Sequence, residues 1–167
     1  MLATAGVDGD PRRRGGVSGA LPETFAEPTL RVTRAQLDTI VGHCFACLPE
    51  EACGLLSGPL DATGTPTGEV GGVHPCRNAE ASAVTYTVDS RDMFQATRAA
   101  EDAGHEIVGV WHSHTHTDPF PSATDVQLAI DPSWIYVLVS LRDDAPSTRA
   151  YRIRDGVIDE VPIAVGG

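Results

Sequence analysis

The sequence predicts a single α/β or α+β sandwich in which one mixed β-sheet is flanked by helices. Short apolar or alternating runs, typical of strands, are interspersed with segments of helical period. Their order is strand, helix, strands, helix, strand, helix, strands, which favours helices packed on a sheet. The 167 residues, 41% of them apolar, suffice for one domain with a real core.

The domain is expected to cover residues 29–165. Residues 1–28 contain Gly, Pro, three consecutive arginines and scattered acids without periodicity, which predicts a disordered N-terminal tail. The chain start lacks a basic region followed by an apolar core, so no secretory signal is expected, and no apolar run reaches the length of a membrane span. A cytoplasmic protein follows as the expectation.

The first half of the domain is expected to contain two helices. Thr33 and Gln36 form a capping box at the start of the first helix, and Pro49 ends it. Asp89 or Ser90 caps the second helix. The predicted order is strand 29–32, helix 33–49, strand 52–56, strand 69–76, strand 84–88 and helix 89–104.

The second half is expected to contain the centre of the sheet. A short apolar run at 107–110 predicts a buried strand, and 135–141 is the most apolar strand and is expected to be central. Between them, a capping box at Ser122 predicts a helix through residue 130. Strands at 149–154 and 157–161 flank an Asp-Gly turn and predict a hairpin.

Four cysteines require an interpretation. Cys44 and Cys47 form a CxxC pair, a pattern found in redox sites and in halves of zinc sites. No second CxxC completes a tetrahedral cluster, and Cys44 continues the apolar face of the first helix. We therefore predict buried, reduced thiols.

The charge balance limits the classes of partner that this chain can bind. Twelve Lys and Arg against 23 Asp and Glu give a formal net charge of -11. Such a chain repels phosphate backbones and anionic lipid surfaces, so neither nucleic acid nor a membrane is an expected partner.

The stretch after the strand at 107–110 carries the strongest chemical signal. His112 and His114 lie two residues apart, so in an extended chain their side chains point to the same side. Asp125 follows eleven residues later and offers a carboxylate. Two imidazoles, one carboxylate and a fourth position left to water are typical of a catalytic zinc site. A purely structural interpretation, in which Ser122 and Asp125 only cap a helix, is compatible with this one.

Together with an upstream glutamate these residues resemble the JAMM motif of MPN-domain zinc metalloproteases. The motif is Glu51 ahead of Cys53-Gly-Leu-Leu, then His112-Ser-His114, seven residues, Ser122 and Asp125. Similarity over residues 30–163 is greatest to the bacterial branch that processes sulfur carriers. The resemblance implies a fold layered like cytidine deaminases and one Zn²⁺ per chain. It also implies that Glu51 is the general base and that Ser122 donates to the oxyanion.

The resemblance also implies the substrate. Such enzymes hydrolyse the bond after the C-terminal Gly-Gly of a ubiquitin-like protein, here a sulfur carrier, releasing cysteine or trimming extra residues. A non-catalytic MPN scaffold is the alternative, and a zinc deaminase is rejected because H-x-E and P-C-x-x-C are missing. His116 departs from the pattern and is open to three interpretations: fourth ligand, substrate contact or exposed residue. The oligomeric state is not predicted.

Overall fold

A computed structural model describes residues 28–167, so the predicted tail lies outside the described residues except for residue 28. Within the described part, no helix has both the length and the apolar character needed to cross a bilayer. The elements are β1 (Leu30–Thr33), α1 (Arg34–Ala46), β2 (Cys53–Gly58), β3 (Gly72–Cys76), α2 (Ser90–Asp102), β4 (Glu106–His114), α3 (Ala123–Leu128), β5 (Ile135–Ser140), β6 (Ser147–Arg154), β7 (Val157–Val161) and β8 (Ile163–Gly166).

Six of the strands form a mixed sheet in the order β3-β2-β4-β5-β6-β7. The β4–β5 pair is parallel, and the other neighbours are antiparallel. The predicted fold class is confirmed, and β5 lies in the middle of the sheet as expected. The Asp155-Gly156 turn of the β6–β7 hairpin has positive φ at both residues, which is the backbone that a tight hairpin turn requires.

Strand β8 was not predicted, and the prediction that all strands belong to one sheet is wrong for β1. β1 pairs with β8 in a separate two-stranded parallel sheet. Pro162 stands between β7 and β8 and lacks the N–H that would continue the hairpin ladder. Its carbonyl instead accepts from the Leu30 amide at 2.8 Å, where the chain changes partner.

Both faces of the large sheet are buried. Successive side chains of β5 alternate between two apolar clusters: Ile135, Val137 and Val139 face one, and Tyr136 and Leu138 face the other. Helix α1 covers the first cluster with Ile40 and Cys44, and α2 covers the second with Ala96. All six residues of β5 are buried, as expected for a strand whose residues 135–139 form a continuous apolar run.

Two predicted elements differ from the structure: one strand is absent and one helix is shorter. Residues 84–88 are not a strand, because their alternating side chains belong to a loop that forms one isolated bridge through Val88. Helix α3 ends at Leu128 rather than at residue 130. In contrast, β4 extends through both histidines and is longer than predicted.

The cysteines are unpaired. Cys44, Cys53 and Cys76 are buried, whereas Cys47 is partly exposed at the end of α1 and so departs from the prediction. Burial raises the pKa of the Cys44 thiol to about 12, which keeps it protonated and unreactive at neutral pH.

Candidate metal centre

Strand β4 and helix α3 bring three potential metal ligands together. His112 and His114 end β4 on the same side of the strand, and Asp125 lies in the first turn of α3. The His112 and His114 Nε2 atoms are 3.1 Å apart. The Asp125 oxygens are 3.3 Å from Nε2 of His112 and 3.5 Å from Nε2 of His114.

These three side chains fit a zinc ion. Ligand atoms about 2.0–2.2 Å from a tetrahedral zinc lie about 3.3–3.6 Å from one another. The two imidazole nitrogens are 3.1 Å apart. Asp125 Oδ1 lies 3.3 Å from His112 Nε2 and Asp125 Oδ2 lies 3.5 Å from His114 Nε2, so all three separations are close to that spacing. Two imidazole nitrogens and a carboxylate oxygen are also the ligand types that zinc accepts. Among residues 28–167, this is the group of His, Cys, Asp and Glu side chains whose ligand atoms converge, all within 4.8 Å.

A capping box fixes the aspartate. Ser122 Oγ accepts the Asp125 backbone N–H at 3.1 Å, and Asp125 Oδ2 accepts the Ser122 N–H at 2.6 Å. The side chain of Asp125 is therefore held at the helix start while its other oxygen, Oδ1, faces His112. Burial alone would raise the pKa of this carboxyl, but the hydrogen bonds with both imidazoles hold it below the usual range.

His114 is oriented by the loop that follows it. Its Nδ1 lies 2.8 Å from the Asp118 carbonyl oxygen and 3.0 Å from Thr117 Oγ1. A carbonyl only accepts, so Nδ1 carries the proton and donates it, and Nε2 keeps its lone pair for a metal. Burial opposes charging of this ring, but the Asp125 and Asp118 contacts raise its pKa.

Two hydroxyls hold that loop against the sheet. Ser140 Oγ on β5 donates to the Thr117 carbonyl, and the Tyr151 hydroxyl on β6 donates to the Pro119 carbonyl. Residues 115–121 therefore form a tied connection between the histidines and α3, although they lack regular secondary structure.

His112 is oriented in a different way. Its ring stacks on Tyr86, with ring centroids 4.3 Å apart and planes 25° from parallel. The ring is buried, and its Nδ1 has no hydrogen-bond partner among residues 28–167. Burial lowers the pKa of His112, which favours the neutral form that metals require.

The register of β2 on β4 places Glu51 beside the triad. Cys53 lies opposite His112, so the antiparallel ladder continued by two residues brings Glu51 toward His114. Ser113, between the two histidines, fixes this approach, because its Oγ accepts the Ala52 N–H at 2.8 Å and its own N–H donates to the Ala52 carbonyl.

Glu51 is a buried carboxyl, with 7% of its surface exposed. Burial raises its pKa from 4.5 to about 7; His114 lowers it and Asp125 raises it further. A carboxyl of this kind exchanges a proton readily at neutral pH, as a general acid–base group must.

A cavity of about 160 Å³ opens over these groups. Glu51, His114, Ser122 and Asp125 line it. Loop residues 83–86 form one wall and residues 115–117 another. The cavity therefore joins four of the five motif residues. The fifth, His112, is buried and stacks on Tyr86, which also lines the cavity.

Ser122 Oγ accepts the Asp125 N–H and also lines the cavity, so its hydroxyl proton has two acceptors within reach: the Asp125 carboxylate or a group bound in the cavity. His116 also lines the cavity, but it is exposed and lies outside the converging triad. Of the residues that matter here, sequence patterns did not reveal Ser113 or the Asp118 carbonyl, since their roles depend on contacts made in three dimensions.

Comparison with known proteins gives a consistent result. The family of prokaryotic homologs of the JAB domain matches residues 33–154. The CysO-cysteine peptidase of Mycobacterium tuberculosis is 43% identical over 136 residues, which cover 80% of this chain and 90% of that protein. The desampylase of Haloferax volcanii is 39% identical over 93 residues, 55% of this chain and 63% of that one. A protein of Desulfitobacterium hafniense of known solution structure superimposes with a TM-score of 0.72 at 32% identity, covering 81% and 92% of the two chains.

Proposed function

The chain belongs to the prokaryotic JAB family, within the JAMM/MPN proteins and near the CysO-cysteine peptidase branch. From this premise we propose that it is a zinc-dependent peptidase that cleaves the bond after the C-terminal Gly-Gly of a ubiquitin-like sulfur-carrier protein. One observation carries the proposal: His114 and Asp125, two members of the triad with His112, line the same cavity as a buried glutamate, Glu51.

His112, His114 and Asp125 are the residues that would hold the ion. When bound, Zn²⁺ supplies a Lewis acid that acidifies water and polarises a carbonyl. His116 lies outside the group of converging ligand atoms, so the three residues would leave a coordination position for water. The proposal therefore assigns His116 to the rim of the cavity, where it contacts substrate, and not to the metal.

Glu51 is the proton carrier of this proposal. Its carboxylate takes a proton from the attacking water and delivers it to the departing amine. A pKa of about 7 lets the same group accept and release that proton near neutral pH.

Ser122 stabilises the charge that develops on the substrate carbonyl. Its Oγ is held by the bond that it accepts from the Asp125 N–H, and the hydroxyl would rotate to donate its proton to that carbonyl oxygen. In comparable oxyanion holes such a donor is worth about 2.7–4 kcal/mol.

The shape of the site supports a slender substrate tail. A cavity of about 160 Å³ between two loops accommodates residues without large side chains better than bulky ones. Exposed apolar side chains around and beside its mouth suit a folded protein partner. Val84 (81% exposed) and Leu128 (57%) line the cavity, and Ile130 (76%) and Met93 (36%) lie with Leu128 around an adjacent pocket.

The names of the relatives support the choice of substrate. A relative similar over 90% of its own length is named for cysteine attached to the carrier CysO. We therefore propose that this chain releases cysteine, or a short C-terminal extension, from a carrier of this kind. Its four unpaired cysteines support a reducing compartment, the cytoplasm.

The test uses a ubiquitin-like carrier with one cysteine, or three further residues, after its Gly-Gly. The zinc-loaded protein is incubated with each carrier, and the products are weighed by mass spectrometry. We expect carriers that end in Gly-Gly, no product from protein treated with chelator, and restored cleavage after zinc is added back.

Glu51→Gln is the decisive variant, and Glu50→Gln is its matched control. We expect Glu51→Gln to keep stoichiometric zinc and lose cleavage, while Glu50→Gln keeps both. Cleavage by Glu51→Gln at the wild-type rate would contradict the mechanism. A dialysed wild-type protein without stoichiometric zinc would instead indicate the non-catalytic scaffold.

A further inference from the structure

Asn78 makes an unusual number of contacts for one side chain. Its Nδ2 lies 3.1 Å from the Glu51 carbonyl oxygen, 3.0 Å from that of Thr85 and 3.4 Å from that of Ser82. The amide has two hydrogens, and they are directed at this group of three carbonyls. The donor half of Asn78 thus joins Glu51, two residues before β2, to a loop that follows it by about thirty residues.

The acceptor half of Asn78 acts only within its own loop. Oδ1 accepts the backbone N–H of Glu80 at 3.0 Å and that of Thr87 at 3.1 Å. Together with the bridge from Asn78 to Val88, these bonds close residues 78–88 into a compact turn. We call residues 78–88 the amide loop.

Glu51 is attached to this loop at both of its backbone polar groups. Its N–H donates to the Ser82 carbonyl at 2.8 Å, and its carbonyl accepts from Asn78 Nδ2. Strand β2 begins only at Cys53, so no sheet ladder fixes residue 51 itself. The position of the Glu51 carboxyl therefore depends on the amide loop on one side and on Ala52, held by Ser113, on the other.

The same loop reaches the metal centre and the substrate cavity. Tyr86 stacks on His112, and residues 83–86 form a cavity wall. The loop contacts the proposed base, the proposed metal ligand His112 and the cavity, so all three are aligned only when the loop holds one conformation. A displacement of 1 Å in such an arrangement can cost about 100-fold in rate.

We propose that Asn78 is a positioning residue for Glu51: its amide fixes the backbone of the proposed general base against the loop that lines the cavity. The role of Glu51 as base is taken from the proposed function, on which this inference rests. Asn78 does not touch the reacting atoms, and its effect passes through residue 51.

Two substitutions distinguish the positioning of Glu51 by the Asn78 Nδ2 group from the closing of the amide loop by Oδ1. Asn78→Asp keeps the oxygen that closes the loop but turns a second oxygen toward three carbonyls. Asn78→Ala removes both halves. We expect both variants to lose about 100-fold in kcat, with KM and zinc affinity changed by less than about threefold. Normal kcat in Asn78→Asp with impaired Asn78→Ala would show that only the loop-closing half matters, and would overturn the proposal.

The matched control lies in the same loop. Thr87 Oγ1 donates to a Glu80 carboxylate oxygen at 2.9 Å and does not contact Glu51. Thr87→Val therefore perturbs the amide loop without freeing the base and should keep wild-type kcat. Urea unfolding of each variant gives its folded fraction, and a fall in kcat that merely follows this fraction would also overturn the proposal.

A second readout needs no substrate, because Asn78 is the only asparagine in the chain. Protein labelled with ¹⁵N-asparagine gives a single pair of side-chain amide resonances. We expect slow exchange of these protons with solvent. In uniformly ¹⁵N-labelled protein we expect a slowly exchanging Glu51 backbone amide that loses its protection in Asn78→Asp. Rapid exchange of the Asn78 side chain in the wild type would overturn the inference whatever the activity. If the wild type cleaves no carrier, the proposed function fails, while these exchange rates still decide whether Asn78 fixes residue 51.

Discussion

Replacing Glu51 by glutamine should stabilise the metal-free protein above neutral pH. The carboxyl is buried, and burial raises its pKa from 4.5 to about 7. A pKa difference of one corresponds to about 1.4 kcal/mol, so ionising Glu51 costs the folded state about 3 kcal/mol. Glutamine has nearly the same shape as the protonated acid and never ionises.

The sign of the pH dependence follows from proton binding. The folded state holds this proton more tightly than the unfolded state, so wild-type stability falls as pH rises between 4.5 and about 7. Below pH 4.5 the carboxyl is protonated in both states, and the advantage of glutamine vanishes. Above pH 7 the cost of ionisation is fully present, and the advantage reaches its limit of about 3 kcal/mol.

Urea unfolding in the presence of a chelator, at pH 4, 6 and 8, measures this difference. Glu51→Gln should match the wild type at pH 4 and exceed it by up to about 3 kcal/mol at pH 8. Glu50→Gln, one residue earlier, should stay within about 0.5 kcal/mol of the wild type. Equal stability of Glu51→Gln and wild type at pH 8, or a difference that is the same at every pH, would refute the reasoning.

Three further predictions follow from the site and its support. Gly54→Ala should destabilise the fold by at least about 1–3 kcal/mol in urea unfolding, because a Cβ there would lie 2.3 Å from the Trp111 ring. A variant as stable as the wild type would show that β2 can shift to make room. Ser122→Ala should lower kcat about 10²–10³-fold and the free energy of unfolding by only about 1 kcal/mol, and an unchanged kcat would remove Ser122 from the oxyanion site. Tyr86→Leu should weaken zinc binding about 10-fold in a competitive chelator titration. Tyr86→Phe should bind zinc normally, because the phenyl ring keeps the stack on His112. Equal zinc affinities of the two variants would contradict a role for the stack.

Much of the fold could be predicted because its signals are local. The apolar run of β5 and the Asp155-Gly156 turn determine their structures within a few residues, as does the capping box at Ser122. The grouping of His112, His114 and Asp125 was also predicted, because the strand period aligns the histidines and the capping box orients the aspartate.

The errors occur where distant contacts override the local pattern. Residues 84–88 alternate like a strand, but the side chain of Asn78 satisfies the Thr85 carbonyl and the Thr87 N–H, so no partner strand is needed. β8 was missed because its partner is β1, more than 120 residues earlier in the chain. Neither relation is visible in the spacing of residues along the sequence.

The capping role of Asp125 has a consequence for how the protein acquires its ion. A flexible carboxylate would lose rotational freedom on coordination, whereas this one is immobilised by the start of α3 before any cation arrives. The imidazole of His114 is likewise held by the carbonyl after it. A cation should therefore bind to three side chains that are already in place. Removal and rebinding of the ion should proceed without global unfolding of the protein.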